Sequence, residues 1–306
     1  MFPIIPANSV TEAPPNPIND EGIFAFGGYG LFTRVNISNL ISNTGVVASD
    51  GAGVGLARDT AGACEYDGDK GIFGFGFSFT AVTNLVSNTG VVATDTVGVG
   101  TARGGLKACS YGEDKGIFGY GNTGSYVSMT NLVSNAGVVA TDTAGVGTDR
   151  GYVMATQYGG DKGIFGFGYD GSNYSMTNLV SNVGVVASDT AGVSGVTARR
   201  DFAACTYGGD KGICAFGNDD VGYLDTSNLI SNRGVVASDT AGVGTGRNGS
   251  NACEYGEDKG IFGFGYILPW ITDTGNTNLV SNVGVIASDT AAVGTARRGV
   301  GACSFN

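Results

Sequence analysis

Asp219, Asp220 and Asp273 are carboxylates that stand outside any repeated motif and close to aromatic residues. Two convergent carboxylates can cleave a glycosidic bond, one as acid and the other as base or nucleophile. These three are therefore the candidates for a polysaccharide hydrolase or lyase. The rest of the chemical inventory points away from catalysis. The chain contains no His, which excludes Ser-His-Asp and Cys-His mechanisms and every imidazole metal ligand. Gly-rich strings such as Gly74-Phe75-Gly76 are followed by no helix, and no Gly-Lys-Ser/Thr occurs, so no phosphate loop is read. Turns bearing Asp and Asn could hold calcium, but no dense Asp-x-Asp-x-Asp-Gly loop is present. The reading is a non-enzyme with no catalytic residue, no metal and no cofactor.

Aromatic side chains supply a second chemistry. Phe79, Tyr126, Tyr174, Tyr223 and Trp270 lie in the same variable stretches as Asp219, Asp220 and Asp273. Those stretches are 28–38, 77–82, 122–129, 169–176, 218–227 and 266–277. An aromatic face stacks on the apolar side of a sugar ring, and Asp or Asn accepts from its hydroxyls. These eight residues are the candidate ligand or partner surface. Packing between neighbouring units, or against another protein, is the competing reading of the same aromatics.

The elements that must position these residues are set by a repeat. Asp-Lys-Gly-Ile-Phe-Gly-Phe/Tyr-Gly starts at Asp69, Asp114, Asp161 and Asp258, with a variant at Asp210 and a copy lacking Lys at Asp20. Successive spacings are 49, 45, 47, 49 and 48 residues. Each unit continues through Thr-Asn-Leu-Val-Ser-Asn-x-Gly, Val-Val-Ala-Ser-Asp-Thr, and a Gly-Val-Gly-Thr-Ala-Arg stretch into Ala-Cys-Ser-Tyr. Short β-branched and aromatic runs broken by Gly, Asn and Asp are strand and turn signals, and no helical period occurs. The 55 Gly among 306 residues, about 18% against a usual ~7%, are punctuation of tight turns. Four strands per unit follow: A around Ala108-Cys109-Ser110-Tyr111, B at Ile117-Phe118-Gly119-Tyr120, C at Asn131-Leu132-Val133-Ser134 and D at Val138-Val139-Ala140.

This predicts an all-β chain: a six-bladed β-propeller of four-stranded antiparallel blades. The sequence ends after an A strand, Gly301-Ala302-Cys303-Ser304-Phe305, and its first repeat opens on a B strand, Ile23-Phe24-Ala25-Phe26. The C-terminal strand would complete the first blade and close the ring. Units start near 20, 69, 114, 161, 210 and 258. Residues 1–19 form a separate Pro-rich arm, extended near polyproline II, with Phe2, Ile4 and Ile5 as its candidate anchor.

Other repeated residues read as scaffold. Cys64, Cys109, Cys205, Cys253 and Cys303 share one strand-A position, where the remaining unit has Thr156. They behave as small buried apolar groups, as does Cys214, and no disulfide framework is read. Arg58, Arg103, Arg150, Arg199, Arg247 and Arg297 form a structural ring. Asp50, Asp95, Asp142, Asp239 and Asp289 precede their Arg by eight residues, and Asp189 by ten. That offset predicts an Arg–Asp pair pinning the D–A connection within each unit. Lys70, Lys115, Lys162, Lys211 and Lys259 read as solvated turn charges.

The A–B segment from Thr101-Ala102-Arg103 through Ala108-Cys109-Ser110-Tyr111-Gly112 to Asp114-Lys115-Gly116-Ile117-Phe118-Gly119-Tyr120-Gly121 resembles kelch-type propellers. The near-identical Gly-rich units are similar to repetitive propeller proteins of bacteriophage virions. That resemblance implies a non-enzymatic virion structural protein, as a fibre, decoration or tail-associated propeller made in the host cytoplasm. Its implied partners are other virion proteins, through the arm or one propeller face, and a host-surface glycan, making a lectin-like recognition module the alternative. The net charge of -11 provides no basic footprint for nucleic acid and opposes anionic membrane surfaces. No apolar run reaches the roughly 18 residues of a membrane helix.

Overall fold

Each Asp-Lys-Gly turn closes a hairpin of two five-residue strands, and a third, shorter strand adds to the far side. In the third unit Lys107–Tyr111 pairs antiparallel with Lys115–Gly119, placing Cys109 opposite Ile117. Thr130–Val133 then pairs with Lys115–Gly119, placing Leu132 opposite Ile117. The computed structural model describes residues 20–30, 33–269 and 271–305, and all regular structure in them is β. Among these residues no helix is long and apolar enough to cross a membrane. The expected arm anchor, Phe2, Ile4 and Ile5, lies outside the described residues, as does Trp270.

The same three-stranded sheet recurs, with strand order inner, middle, outer. The second sheet is Gly62–Tyr66, Lys70–Gly74 and Thr83–Val86. The fourth is Met154–Tyr158, Lys162–Gly166 and Thr177–Val180. The fifth is Ala203–Tyr207, Lys211–Ala215 and Ser227–Ile230. The sixth is Asn251–Tyr255, Lys259–Gly263 and Thr277–Val280. The first joins both ends of the sequence: Gly301–Phe305 pairs with Glu21–Ala25, which pairs with Ser38–Ile41. Inner strands of consecutive sheets lie in contact, and the strand Gly301–Phe305 touches those of both the second and the sixth sheets. The fold is all-β and propeller-like.

The expected four-stranded blade is corrected to three strands. The D segment touches the outer strand only through isolated bridges, Val133 to Val139 and Thr130 to Thr143 in the third unit. Between these bridges the pairing slips by one residue, a bulge that breaks the ladder. The cause is Asn131, whose side chain is fully buried and takes the place of a backbone partner: its Nδ2 donates to the Ala140 carbonyl at 3.0 Å. Asn39, Asn84, Asn178, Asn228 and Asn278 do the same in their units.

Glycine sets how closely the sheets approach. In five of the six inner strands a Cys, and in the fourth Thr156, points at the turn glycine of the next sheet. A Cβ built on Gly116 would stand 2.4 Å from Cys64 Sγ, and one on Gly163 2.5 Å from Cys109 Sγ. All six thiols are buried and free. Burial pushes the Cys109 thiol up to about 12 and raises the others too. These thiols are packing groups, with little thiolate at neutral pH.

Candidate functional site: the seams, the axis and the loop face

The strongest electrostatic feature is repeated at every seam. The six repeated Arg are fully buried. Arg103 lies on the connection from the second to the third sheet. Its guanidinium stacks on the Phe75 ring of the second sheet, 4.4 Å from the centroid. It then donates to Asn131 Oδ1 at 2.7 Å and to the Tyr120 carbonyl at 2.8 Å, both in the third unit. Arg297 repeats this between the sixth and first sheets: it stacks on Phe264 and donates to Asn39 at 2.7 Å and to the Phe26 carbonyl at 2.8 Å. Burial pulls these two guanidiniums down to about 10, so they stay charged at neutral pH.

The predicted Arg–Asp pairing within a unit is replaced by pairing between units. Arg103 faces Asp142 at 3.8 Å, Arg150 faces Asp189 at 3.4 Å, and Arg297 faces Asp50 at 3.7 Å. Each Asp also accepts from the D–A connection that carries its Arg: Thr101 donates to Asp142 through its backbone N–H and its hydroxyl. Burial works to raise Asp142, but the Thr101 and Asn131 hydrogen bonds and the Arg103 charge outweigh it, so its carboxyl is held low. A chain connection has to cross from one sheet to the next, and the Arg–Asn–Asp cluster fixes where it lands.

Around the axis the inner strands present Ala and, one step further toward the turns, Glu65, Ser110, Gln157, Thr206, Glu254 and Ser304. Free space here is about 50 Å³, room for a few waters but not a substrate. Glu254 accepts from Thr206 Oγ1 at 2.5 Å. Burial, with the Glu65 charge adding to it, pushes the Glu254 carboxyl up to about 8. The opposite mouth is closed by backbone. Thr60, Gly105, Tyr152, Asp201, Gly249 and Gly299 all take positive φ between 50° and 67°. Each donates its N–H to the preceding member of the circle: Tyr152 to Gly105 O, Asp201 to Tyr152 O, Gly249 to Asp201 O, Gly299 to Gly249 O and Thr60 to Gly299 O. Gly105 N–H completes the circle on Thr60 Oγ1 at 3.2 Å.

Over this mouth lies the face of the variable stretches, and its charged groups are largely paired. Arg34 meets Asp59 at 3.1 Å, Arg200 meets Asp220 at 2.6 Å, and Arg298 meets Asp273 at 3.2 Å. Arg200 stacks on Tyr169 and Arg298 on Tyr266. Burial pulls the Lys107 ammonium down to about 8 against the pull of Asp201, and raises the Asp201 and Asp59 carboxyls. Three buried polar atoms here have no protein partner: Asp59 Oδ1, Asn248 Oδ1 and Ser250 Oγ. They lie on the two connections flanking the one that carries Arg298 and Gly299: a Cβ built on Gly299 would stand 3.3 Å from Asp59 Cβ, and one built on Gly249 would stand 3.3 Å from Arg298 Cβ.

The seven described candidate surface residues are engaged by separate partners. Tyr126 packs edge-on against Tyr169, 6.0 Å between centroids, and Tyr223 against Tyr266 at 5.2 Å. Both contacts join neighbouring units. Phe79 is exposed but rests on Phe77. The Tyr174 hydroxyl donates to Asp170 at 2.9 Å. Asp219 accepts from Val221 and Gly222 N–H groups of its own loop. Asp220 is held by Arg200 and Asn173, and Asp273 by Arg298 and the Gly30 N–H. Asp219, Asp220 and Asp273 are thus each held by different partners. Sequence reasoning missed Asn131 and its equivalents, Glu254, Lys107, Asp201 and the loop-face Arg residues. Lys107 carried a signal: it stands at a strand position otherwise held by Gly62, Met154, Ala203, Asn251 and Gly301.

No family model matches the chain. No curated protein matches it either. Among solved structures it is similar to a fungal alcohol oxidase of the AA5 family in complex with copper, with a TM-score of 0.57 and 14% identity over 92% of this chain. The chain spans 66% of that oxidase. The likeness carries the fold and not the activity. The expectation of a virion structural protein is corrected: no comparison links the chain to one, and the solved structure whose fold it shares is a fungal oxidase. Copper itself does not fit the residues present. Imidazole and thiolate are its usual protein ligands, but this chain has no His and its thiols are packed against glycine. Among the described residues no group of three or more His, Cys, Asp or Glu could hold a metal ion.

Proposed function

We propose that the chain is a closed six-bladed β-propeller and a non-enzymatic binding scaffold, which holds a hydrogen-bond-donating partner on its loop face. Closure is supported by the Glu21–Ala25 pairing with Gly301–Phe305 and by Arg297, which makes between the last and first sheets the contacts that Arg103 makes elsewhere. The binding reading is carried by one observation: the unpartnered buried atoms Asp59 Oδ1, Asn248 Oδ1 and Ser250 Oγ on that face. A buried acceptor without a donor costs about 1–3 kcal/mol, and a donor-bearing ligand or ordered water recovers it. The stretches bordering these atoms are also the ones that differ between units.

A thermal-shift screen of small amides, amidines and amines tests this reading, run on the wild type and on Asn248→Ala and Ser250→Ala. Compounds that stabilise the wild type but neither variant support it. Stabilisation that ignores both substitutions, or turnover of any compound, overturns it.

A further inference from the structure

Two departures from the sixfold pattern, in different units, meet in space. The fourth unit has ten residues between Asp189 and Arg199 where the others have eight. The extra residues fall in Val193-Ser194-Gly195-Val196. In the fifth unit the turn between the outer strand and the D segment carries Arg233, where the equivalent turns have Thr44, Thr89, Ala136, Val183 and Val283. Both departures line a single cavity of about 140 Å³ on the rim between the fourth and fifth sheets. Its apolar wall comes from Leu179, Val193, Val196 and Val236, with the hydroxyl residues Ser175 and Thr190 beside them. Arg233 is exposed at the edge. Its guanidinium makes no hydrogen bond or ion pair among the described residues, whereas Arg34, Arg200 and Arg298 each have an Asp partner.

We propose that this rim cavity binds a small carboxylate with a compact apolar body. A cavity of this volume takes a ring the size of benzene. The guanidinium fork matches a carboxylate with two parallel hydrogen bonds. Shape and charge therefore select the same ligand class: the longer connection opens the apolar space, and Arg233 supplies the counter-charge at its rim. The ligand is an anion held at the periphery, far in chemistry from the donor-bearing partner of the loop face, so the two readings stand or fall separately.

Benzoate is the probe, titrated into the full-length ¹⁵N-labelled protein and followed by backbone amide shifts. The expected result is saturable shifts confined to residues 175–196 and 231–237, with a dissociation constant in the low millimolar range. Arg233→Thr, which installs the residue found at Thr44 and Thr89, should weaken benzoate about tenfold, the loss of a charge-assisted bidentate contact. Benzyl alcohol, of similar shape but uncharged, should bind both proteins equally. Deleting Ser194 and Gly195 restores the eight-residue spacing and should abolish binding of both compounds. Absence of saturable shifts in the wild type, shifts located elsewhere, or equal benzoate affinity of wild type and Arg233→Thr each overturns the proposal. Arg233 is exposed and its guanidinium makes no hydrogen bond or ion pair among the described residues, so that variant decides the matter even where the deletion fails to fold.

Discussion

Replacing Asn131 by Ala removes three hydrogen bonds at one seam: the acceptor for Arg103 at 2.7 Å, the donor to the Ala140 carbonyl at 3.0 Å and the donor to Asp142 at 2.9 Å. These losses are unequal. Ala140 is exposed and its carbonyl can turn to water. The Arg103 side chain is fully buried, so its guanidinium loses an acceptor that water cannot replace. A hydrogen bond to a charged group contributes about 1.5–3 kcal/mol, and truncating the side chain leaves a small void, so the expected cost is about 3–4 kcal/mol. For a chain of this size that lowers Tm by about 6 °C. Urea unfolding followed by far-UV circular dichroism measures it, with Asn135→Ala as control, because Asn135 bonds only Asp114 on the exposed turn. The control should cost less than about 1 kcal/mol. Asn84→Ala and Asn278→Ala should match Asn131→Ala, since both side chains serve the same cluster. A cost for Asn131→Ala no larger than that of the control would refute the view that these side chains lock the seams.

Gly116→Ala forces a methyl to 2.4 Å from Cys64 Sγ and should cost about 2–3 kcal/mol; the added Cys64→Ala should recover most of it, and simple additivity in the double-mutant cycle would sink the claimed contact. Glu254, raised to about 8 in the folded chain from an ordinary 4.5, binds its proton more tightly when folded, so stability falls as pH rises from about 4.5 to 8. With solvent reaching the channel mouth the loss is about 2 kcal/mol. Glu254→Gln should flatten that slope, and an unchanged slope contradicts the assignment. Lys107, lowered to about 8, acts in the opposite sense, adding stability as pH rises from about 8 to 10.5, and Lys107→Met should remove that limb of the profile. Deleting residues 301–306 strips the inner strand from Glu21–Ala25 and uncovers Ile23 and Phe24; the truncated chain should lose its cooperative transition, and a Tm within about 2 °C of the full-length value would speak against closure.

The sheets were legible because the Asp-Lys-Gly turn, the Cys strand and the Thr-Asn-Leu-Val strand recur in fixed order. Partners across seams were not. In a periodic sequence Asp95 precedes Arg103 at an offset kept in every unit but the fourth, and Asp142 follows it at one that varies by only a few residues between units. Periodicity cannot say which of the two Arg103 meets, and geometry selects Asp142. The bulge at Asn131 was hidden for a related reason: a polar residue in a Leu-Val strand reads as facing solvent, while its carboxamide here substitutes for backbone in the ladder. The loop-face residues lack even a period. Nothing in the spacing of Arg298 and Asp273 announces a pair formed between adjacent connections. The Gly-rich composition, by contrast, had a readable cause once Gly116 and Gly163 were seen to receive the thiols of neighbouring sheets.

The pairing of Glu21 with Phe305 places the two ends of the repeat region side by side at the position of an ordinary Asp-Lys turn. A short Asp-Lys-Gly linker joining those ends, with new termini cut at the turn near Asp114 or Asp210, would leave every strand pairing in place. Circular permutants opened at different turns should then share one spectrum and nearly one stability. In such a molecule the order of the sheets along the gene is a matter of synthesis, and repeat units could be shuffled among positions so long as each brings its own Arg, Asn and Asp.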